Sequence, residues 1–233
     1  MRSRFPLALL VLALAGPLLC TGTPALAAGV DIAWDNCRGE PGATSLKEFA
    51  CTSESGGDAL WISFESAVSA ASMGRLEVAI AFQTRAVTPL PVWWDFEDLA
   101  SCRRGALSVD VVPPFETPTC ARVYTSANPP TFVVDRIDYQ LPTPASGRMV
   151  VAANVAGPLV ANQRYLACRL LLSHARTASC AGCDVPVAVS VDAVRIDGVT
   201  LTNAITQSFA LWQEVHSTAT RTSTWSALKG LYH

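Results

Sequence analysis

One short stretch carries side chains that could bind a ligand or do chemistry. Asp95, Glu97 and Asp98 follow directly after Trp93 and Trp94. Carboxylates beside an aromatic face are typical of sugar sites, of Ca²⁺ sites and of the acid/base pairs of glycoside hydrolases. The alternative is a polar loop with one tryptophan in the core and the other under the loop, because buried aromatic side chains usually serve packing. We take these five residues as candidate ligand-binding residues and none of them as catalytic.

A second stretch, Cys180-Ala181-Gly182-Cys183, could be a redox pair or a structural element. Thioredoxin-type Cys-x-x-Cys motifs stand at the start of a helix, which lowers the pKa of the reactive thiol. Here Pro186 and an alternating, valine-rich strand follow instead. The context therefore favours structural disulfide chemistry over redox catalysis.

Other catalytic and metal-binding patterns are missing from the sequence. His174, His216 and His233 have no ligand spacing to one another, so no metal site is expected. No nucleophile elbow, zinc-protease motif or phosphate-binding glycine loop occurs. We expect no cofactor, and Ca²⁺ on the carboxylates after Trp94 is the single exception that the residue types allow.

The N-terminus has the pattern of an export signal. Arg2 and Arg4 precede an almost wholly apolar run from Phe5 to Cys20, and Ala25-Leu26-Ala27 fits a small-x-small cleavage site. Cleavage after residue 27 is favoured over lipid attachment at Cys20, which lacks small residues before it. The protein is therefore expected to be secreted, extracellular or on the cell surface, with the periplasm as an alternative.

Composition narrows the class of partner. The signal holds two of the 17 basic residues and none of the 19 acidic ones, which leaves 15 against 19, or a net charge of −4. A mild acidic excess without a basic block disfavours nucleic acid. No later segment is apolar enough to span a membrane. The remaining length fits one domain, residues 28–213, followed by a tail, residues 214–233.

Seven cysteines remain after the signal, and export favours disulfides among them. Pairing by nearness in sequence joins Cys37 to Cys51, Cys102 to Cys120 and Cys180 to Cys183. Cys168 is then left as a buried free thiol, or it pairs with Cys180 or Cys183 across neighbouring strands. The connectivity stays open at this point.

Short alternating segments fill the domain, and they predict nine or ten strands with almost no helix. Turn residues separate them, including Asp197-Gly198, which predicts a two-residue hairpin. The apolar parity of the strand after Pro186 changes after Asp192, which predicts a bulge or a second, shorter segment. Residues 47–51 read as a short strand, 69–74 as a loop or a single helical turn and 131–136 as an edge strand. The fold class is an all-β, disulfide-stapled antiparallel β-sandwich of jelly-roll or cohesin/Ig-like type.

The C-terminal decapeptide predicts a short amphipathic helix behind a Ser/Thr-rich spacer. The residues at helical spacing and their neighbours are Trp225, Leu228, Lys229, Leu231 and Tyr232. This tail either anchors the protein to a partner or an export apparatus, or folds back onto its own domain.

Several motifs together resemble a family of uncharacterised secreted bacterial proteins. They are Trp34-x-x-Cys37, Phe49-Ala-Cys51, Leu90-Pro-x-Trp-Trp94, Cys102-Arg103, Ser179-Cys-Ala-Gly-Cys-x-x-Pro-Val187 and Thr224-Trp-x-x-Leu-Lys-x-Leu-Tyr232. Members often carry a cysteine where this chain has Ala188 and usually lack Cys168. The resemblance therefore puts the Cys180–Cys183 pairing in doubt and makes Cys168 an alternative partner. The spacing of Leu159, Tyr165 and Leu170 also resembles cohesin-type sandwiches.

Two functions follow from these observations. The first is a secreted or cell-surface, non-catalytic interaction or structural module whose partner is an unidentified protein or glycan. The second is an extracellular hydrolase or glycan-binding protein that uses the acidic-aromatic loop from Trp93 to Asp98.

Overall fold

The fold is nearly all β, with two sheets packed face to face. The structure, a computed structural model, describes residues 29–84, 89–96, 100–110, 120, 134–143, 146–201 and 209–213. The expected signal peptide and the whole C-terminal tail, with its candidate residues Trp225, Leu228, Lys229, Leu231 and Tyr232, lie outside these ranges.

Eleven strands and one turn of 3-10 helix are present in the described part of the chain. The strands are β1 (Gly29–Trp34), β2 (Leu46–Lys47), β3 (Gly57–Glu65), β4 (Ala70–Thr84), β5 (Leu107–Asp110), β6 (Val134–Thr143), β7 (Ser146–Leu159), β8 (Arg164–Ser173), β9 (Val187–Ile196), β10 (Val199–Leu201) and β11 (Phe209–Trp212). The helix is Val92–Trp94. The expected all-β sandwich is thus confirmed.

The smaller sheet has the strand order β1-β3-β8-β5, and the larger has the order β2-β11-β9-β4-β7-β6, with β10 beside β9. Every pair is antiparallel except β2 with β11. The predicted edge strand at 131–136 corresponds to β6, which ends the larger sheet in this order.

Alternation along each strand builds the shared core. In β3, Leu60, Ile62 and Phe64 are buried in one cluster with the inward side chains of β4, among them Ile80 and Phe82. Residues of one parity face one side of a sheet, so the two apolar faces meet and exclude water between the sheets. Burying such side chains stabilises a fold by roughly 1.5–3 kcal/mol each.

The predicted bulge and hairpin are both present in β9. Ala193 pairs with Ala79 and Val191 pairs with Ile80, so Asp192 is the extra residue. This insertion lets Val191 and Val194 both face the core despite their odd spacing. At the strand's end, Asp197 and Gly198 have φ of 49° and 81°, the left-handed values that a type I′ turn requires.

Two sequence expectations about local structure are wrong. Residues 69–74 are not a loop or a helical turn, because β4 begins at Ala70 and pairs irregularly with the end of β7. That partner strand imposes an extended backbone on a segment with no alternation of its own. The second strand is only Leu46–Lys47, because its partner β11 ends at Trp212, opposite Lys47.

Cys168 is a free thiol, buried in β8, as the simpler expectation had it. Burial in the apolar core raises the pKa of this thiol from 9.0 to about 12. It therefore stays protonated at neutral pH.

The buried thiol predicts a pH dependence of stability. The thiol ionises near pH 9 in the unfolded chain and near pH 12 in the folded protein. Below pH 9 it is protonated in both states, and between the two values its ionisation in the unfolded chain lowers the free energy of unfolding. Between about pH 8 and about pH 10.5, the free energy of unfolding in urea should fall by about 2 kcal/mol more for the chain from residue 28 than for its Cys168→Ala variant. Equal losses in the two proteins would contradict this assignment.

Candidate functional site

Both tryptophans of the predicted binding loop lie inside the core. Pro91 starts a 3-10 turn in which the Trp94 amide donates to the Pro91 carbonyl, so the backbone is not extended. The two indole rings are 0 % exposed, with centroids 5.1 Å apart, and Trp93 stacks on Trp212 at 4.7 Å. We therefore correct the expectation that Trp93 and Trp94 bind a ligand, because neither ring presents a face to solvent.

The carboxylates of the same loop are only partly described. Asp95 is half-buried, and its carbonyl accepts a hydrogen bond from the Ser101 hydroxyl. Glu97 and Asp98 lie outside the described residues. Among the described residues, no group of three His, Cys, Asp or Glu side chains is placed to hold a metal ion. A ligand-binding role for Asp95, Glu97 and Asp98 stays a prediction.

The disulfide pairs differ from those suggested by nearness in sequence. Six cysteines form the bonds Cys37–Cys120, Cys51–Cys183 and Cys102–Cys180. Their sequence separations are 83, 132 and 78, so spacing along the chain carried no information about them. The local pairing was wrong, and Cys168 takes no partner.

The turn from Cys180 to Cys183 joins other parts of the chain instead of closing on itself. One sulfur reaches Cys102, in the loop between β4 and β5, and the other reaches Cys51, in the loop between β2 and β3. A redox pair needs its two sulfurs to exchange with each other. This Cys-x-x-Cys is therefore a structural branch point.

Hydrogen bonds and close packing hold the same turn against the tryptophans. The Trp93 amide donates to the Ala181 carbonyl (3.2 Å), and the Trp212 indole N–H donates to the Cys183 carbonyl (2.8 Å). Gly182 has a φ of +92° and lies against Pro91, where a β-carbon would overlap the proline ring. The turn is thus fixed by two covalent bonds and by its fit to the core.

Arg103 is a fully buried cation beside this turn. Its guanidinium stacks over Trp93, 4.2 Å from the ring centroid, and donates to the Ser173 and Ala175 carbonyls (2.6 Å each) and the Thr177 hydroxyl (3.1 Å). Desolvation lowers the pKa of this group to about 10, so it stays charged at neutral pH. Arg103 therefore holds the loop between β8 and β9 onto the tryptophan cluster.

A second polar cluster supports the loop between β2 and β3. His174 lies between the Ser55 carbonyl (3.0 Å) and the Asp58 carboxylate (2.7 Å), and its ring packs on Phe49 at 3.9 Å. Lys47 completes the cluster with an ion pair to Asp58 at 2.9 Å. Burial opposes the charge of Lys47, but its hydrogen bonds to carboxylates raise its pKa overall. Hydrogen bonds and an ion pair connect these groups to one another and offset the cost of burying them.

The third disulfide lies on the outer side of the smaller sheet. Cys37 and Cys120 are buried there with Trp61 and Leu166, in a cluster separate from the main core. This bond anchors residue 120 to the outer face of β3 and β8.

Three loops thus meet at one end of the sandwich under two disulfides, and we call their exposed surface the stapled loop face. The loops are 48–56, the described residues 89–96 and 100–106, and 174–186. The exposed residues of this face include Thr52, Glu54, Val92, Arg104, Arg176, Ser179, Ala181 and Asp184. The signal in the sequence was Cys180-Ala-Gly-Cys183, but sequence reasoning missed Arg103 and the long-range bonds that assemble the face.

No family model matches the chain, and no curated protein matches it in sequence. In the described part of the chain, no helix is long and apolar enough to cross a membrane.

The buried contacts of Arg103 predict that its substitution destabilises the fold more than substitution of the exposed Arg104 does. Arg103→Lys replaces a planar fork with one ammonium group, which cannot serve three acceptors and stack on the ring. We expect the free energy of unfolding in urea to fall by about 2 kcal/mol, against less than about 0.5 kcal/mol for exposed Arg104→Lys. Similar losses for both would mean that the buried contacts add little.

The fit of the turn predicts a contrast between two glycines with positive φ. Gly105 has a φ of +74° and open space where a β-carbon would be, whereas Gly182 faces Pro91. Gly105→Ala should cost about 1 kcal/mol of unfolding free energy, from backbone conformation alone. Gly182→Ala should cost at least about 3 kcal/mol or prevent correct oxidation, measured by urea unfolding and disulfide mapping. Equal costs would refute the close packing.

Proposed function

We propose that the protein is a non-catalytic interaction module of the extracellular space or the cell surface, and that it binds a protein or glycan partner with the stapled loop face. A single observation carries this proposal. Two disulfides from one four-residue turn join loops that are otherwise far apart in sequence, with separations of 132 and 78.

Loops held in this way lose little conformational entropy on binding. Binding residues are commonly found on loops that a rigid scaffold positions, and prior ordering of a loop removes part of the entropic cost of association. Here the ordering comes from covalent bonds, from Arg103 and from the tryptophan cluster beneath. The buried side chains support the backbone, and the exposed ones remain for recognition.

The exposed side chains of the face offer contacts of several kinds. Val92 is 54 % exposed although the next two residues of its helical turn are fully buried. Arg104 and Arg176 are exposed on the two loops that Arg103 joins, and neither makes a described ion pair with a carboxylate. An exposed apolar side chain and two exposed guanidinium groups on one face are suited to a partner that offers both apolar and acidic groups.

The disulfides are compatible with a location outside the cytoplasm. Such bonds persist in oxidising compartments and are rare where glutathione keeps thiols reduced. Three of them in a chain of this size, together with the export pattern before residue 28, support a secreted or surface module.

The test compares two valines with nearly equal exposure at opposite ends of the sandwich. Val92 is 54 % and Val160 is 51 % exposed, and only Val92 belongs to the stapled loop face. The purified chain from residue 28 is sedimented with envelopes of the cells that export it. A Val92→Asp/Arg104→Glu double variant should bind at least about tenfold more weakly, because a buried contact and a charge are both lost.

The matched control is Val160→Asp, which should bind like the unmodified protein. Equal weakening by both variants, or binding that neither changes, would contradict the proposal. The hydrolase alternative is tested in parallel with Asp95→Ala, Glu97→Ala and Asp98→Ala combined. Reproducible glycan turnover that this variant abolishes would replace the binding module with an enzyme.

A further inference from the structure

The side chain of His174 has a hydrogen-bond acceptor at each of its two ring nitrogens. Nδ1 lies 3.0 Å from the Ser55 carbonyl oxygen, and Nε2 lies 2.7 Å from Oδ2 of Asp58. A carbonyl group and an ionised carboxylate can only accept. The protonated ring donates from both nitrogens and satisfies both acceptors, whereas a neutral ring has one N–H and directs a lone pair at the other acceptor.

The charges around the ring balance when it is protonated. Lys47 Nζ lies 2.9 Å from Oδ1 of Asp58 and 2.7 Å from Oδ2 of Asp35. Two carboxylates therefore face two cations, Lys47 and the protonated His174. Arg103 is the other cation of this region, and its guanidinium donates to the backbone carbonyls of residues 173 and 175. A neutral ring would leave this cluster with one uncompensated negative charge.

The two acceptors of the ring differ in how firmly they are held. Asp58 is buried in β3 and is paired with Lys47, whereas Ser55 is exposed in the loop between β2 and β3. An ionised carboxylate also accepts a stronger hydrogen bond than a carbonyl does. A neutral ring therefore keeps its N–H on Asp58 and loses the contact with Ser55, whose carbonyl can bond to water instead.

Only a short part of the loop depends on this contact. The disulfide of Cys51 holds one end, and the Gly56 carbonyl, which accepts from the His174 backbone amide at 3.0 Å, holds the other. Neither of these anchors requires a proton on the ring. The four residues between them include Thr52 and Glu54, which belong to the stapled loop face.

We propose that protonation of His174 controls the position of residues 52–55 and thereby the binding of the partner, an inference that rests on the proposed function of the stapled loop face. The protonated ring holds these residues in place through the Ser55 carbonyl. Loss of the proton releases them, so binding weakens as the pH rises, because the segment must then be ordered during association. Histidine suits such a role because its charge changes between about pH 5 and pH 8.

Nuclear magnetic resonance of the chain from residue 28 tests this inference between about pH 5 and about pH 9. The ring nitrogen shifts of His174 report its protonation, and the heteronuclear NOE of the Glu54 and Ser55 amides reports the mobility of the segment. We expect the NOE of both amides to fall with the same midpoint as the ring. A ring that keeps one protonation state over this range, or an NOE that stays constant while the ring titrates, overturns the proposal.

The decisive variant is Asp58→Asn, because the amide replaces the carboxylate with the same shape. Its oxygen still accepts from Lys47, and its NH2 group donates to Nε2 of the neutral His174, whose Nδ1–H then bonds to Ser55. Residues 52–55 should therefore stay ordered at every pH. The matched control is Asp110→Asn, at an aspartate that is paired with an arginine of β8, and it should keep the pH dependence of the unmodified protein. Mobility at every pH in Asp58→Asn, or an unchanged pH dependence, overturns the proposal.

Envelope binding separates this inference from the proposed function. Binding by the unmodified protein should weaken at least about threefold as the ring loses its proton, and binding by Asp58→Asn should stay constant. Binding that keeps its strength while residues 52–55 become mobile overturns the control of the partner by His174. Mobility that follows the ring, together with no envelope binding at any pH, supports the control of the loop and contradicts the proposed function alone.

Discussion

The cross-links of the turn between β8 and β9 determine the arrangement of one whole end of the molecule. Cys180 and Cys183 are separated by only two residues, yet their sulfurs are bonded to two different loops. In the chain-entropy description, each bond across a segment of this length stabilises the native state by roughly 4–5 kcal/mol. This stabilisation depends on the turn itself being held in place, because bonds to a mobile turn would not fix the position of the loops.

The tryptophan cluster provides that fixed base. Trp212 contacts Trp34, Trp93 and Trp94 at centroid distances of 5.5, 4.7 and 5.8 Å, and its indole N–H is bonded to the turn. These rings come from β1, from the 3-10 turn and from β11, so they join both sheets. Aromatic contacts of this kind add about 0.5–1.5 kcal/mol beyond the area that they bury. The covalent bonds and the ring contacts thus support the same short segment from opposite sides.

Local pattern predicted most of the strands but not the site. The alternation of β3 and β4, the parity change at Asp192 and the Asp197–Gly198 turn are properties of a few consecutive residues, and each was predictable. The disulfide partners and the burial of Trp93 depend on which loops meet at one end of the fold. That information lies in the tertiary arrangement, so proximity in sequence pointed to the wrong bonds. A buried arginine between backbone carbonyls leaves no pattern in the sequence at all.

The hidden position of Cys168 has a consequence for how the oxidised protein is obtained. The chain from residue 28 carries seven cysteines, an odd number, and an accessible extra thiolate would attack finished bonds and shuffle them. Strand β8 places this sulfur between the sheets, where it cannot reach another cysteine without unfolding. Hydrophobic assembly of the strands therefore favours the correct disulfides. A chain whose sheets have closed keeps its bonds, while a chain whose sheets have not closed still exposes the Cys168 thiol, which exchanges with wrongly paired disulfides.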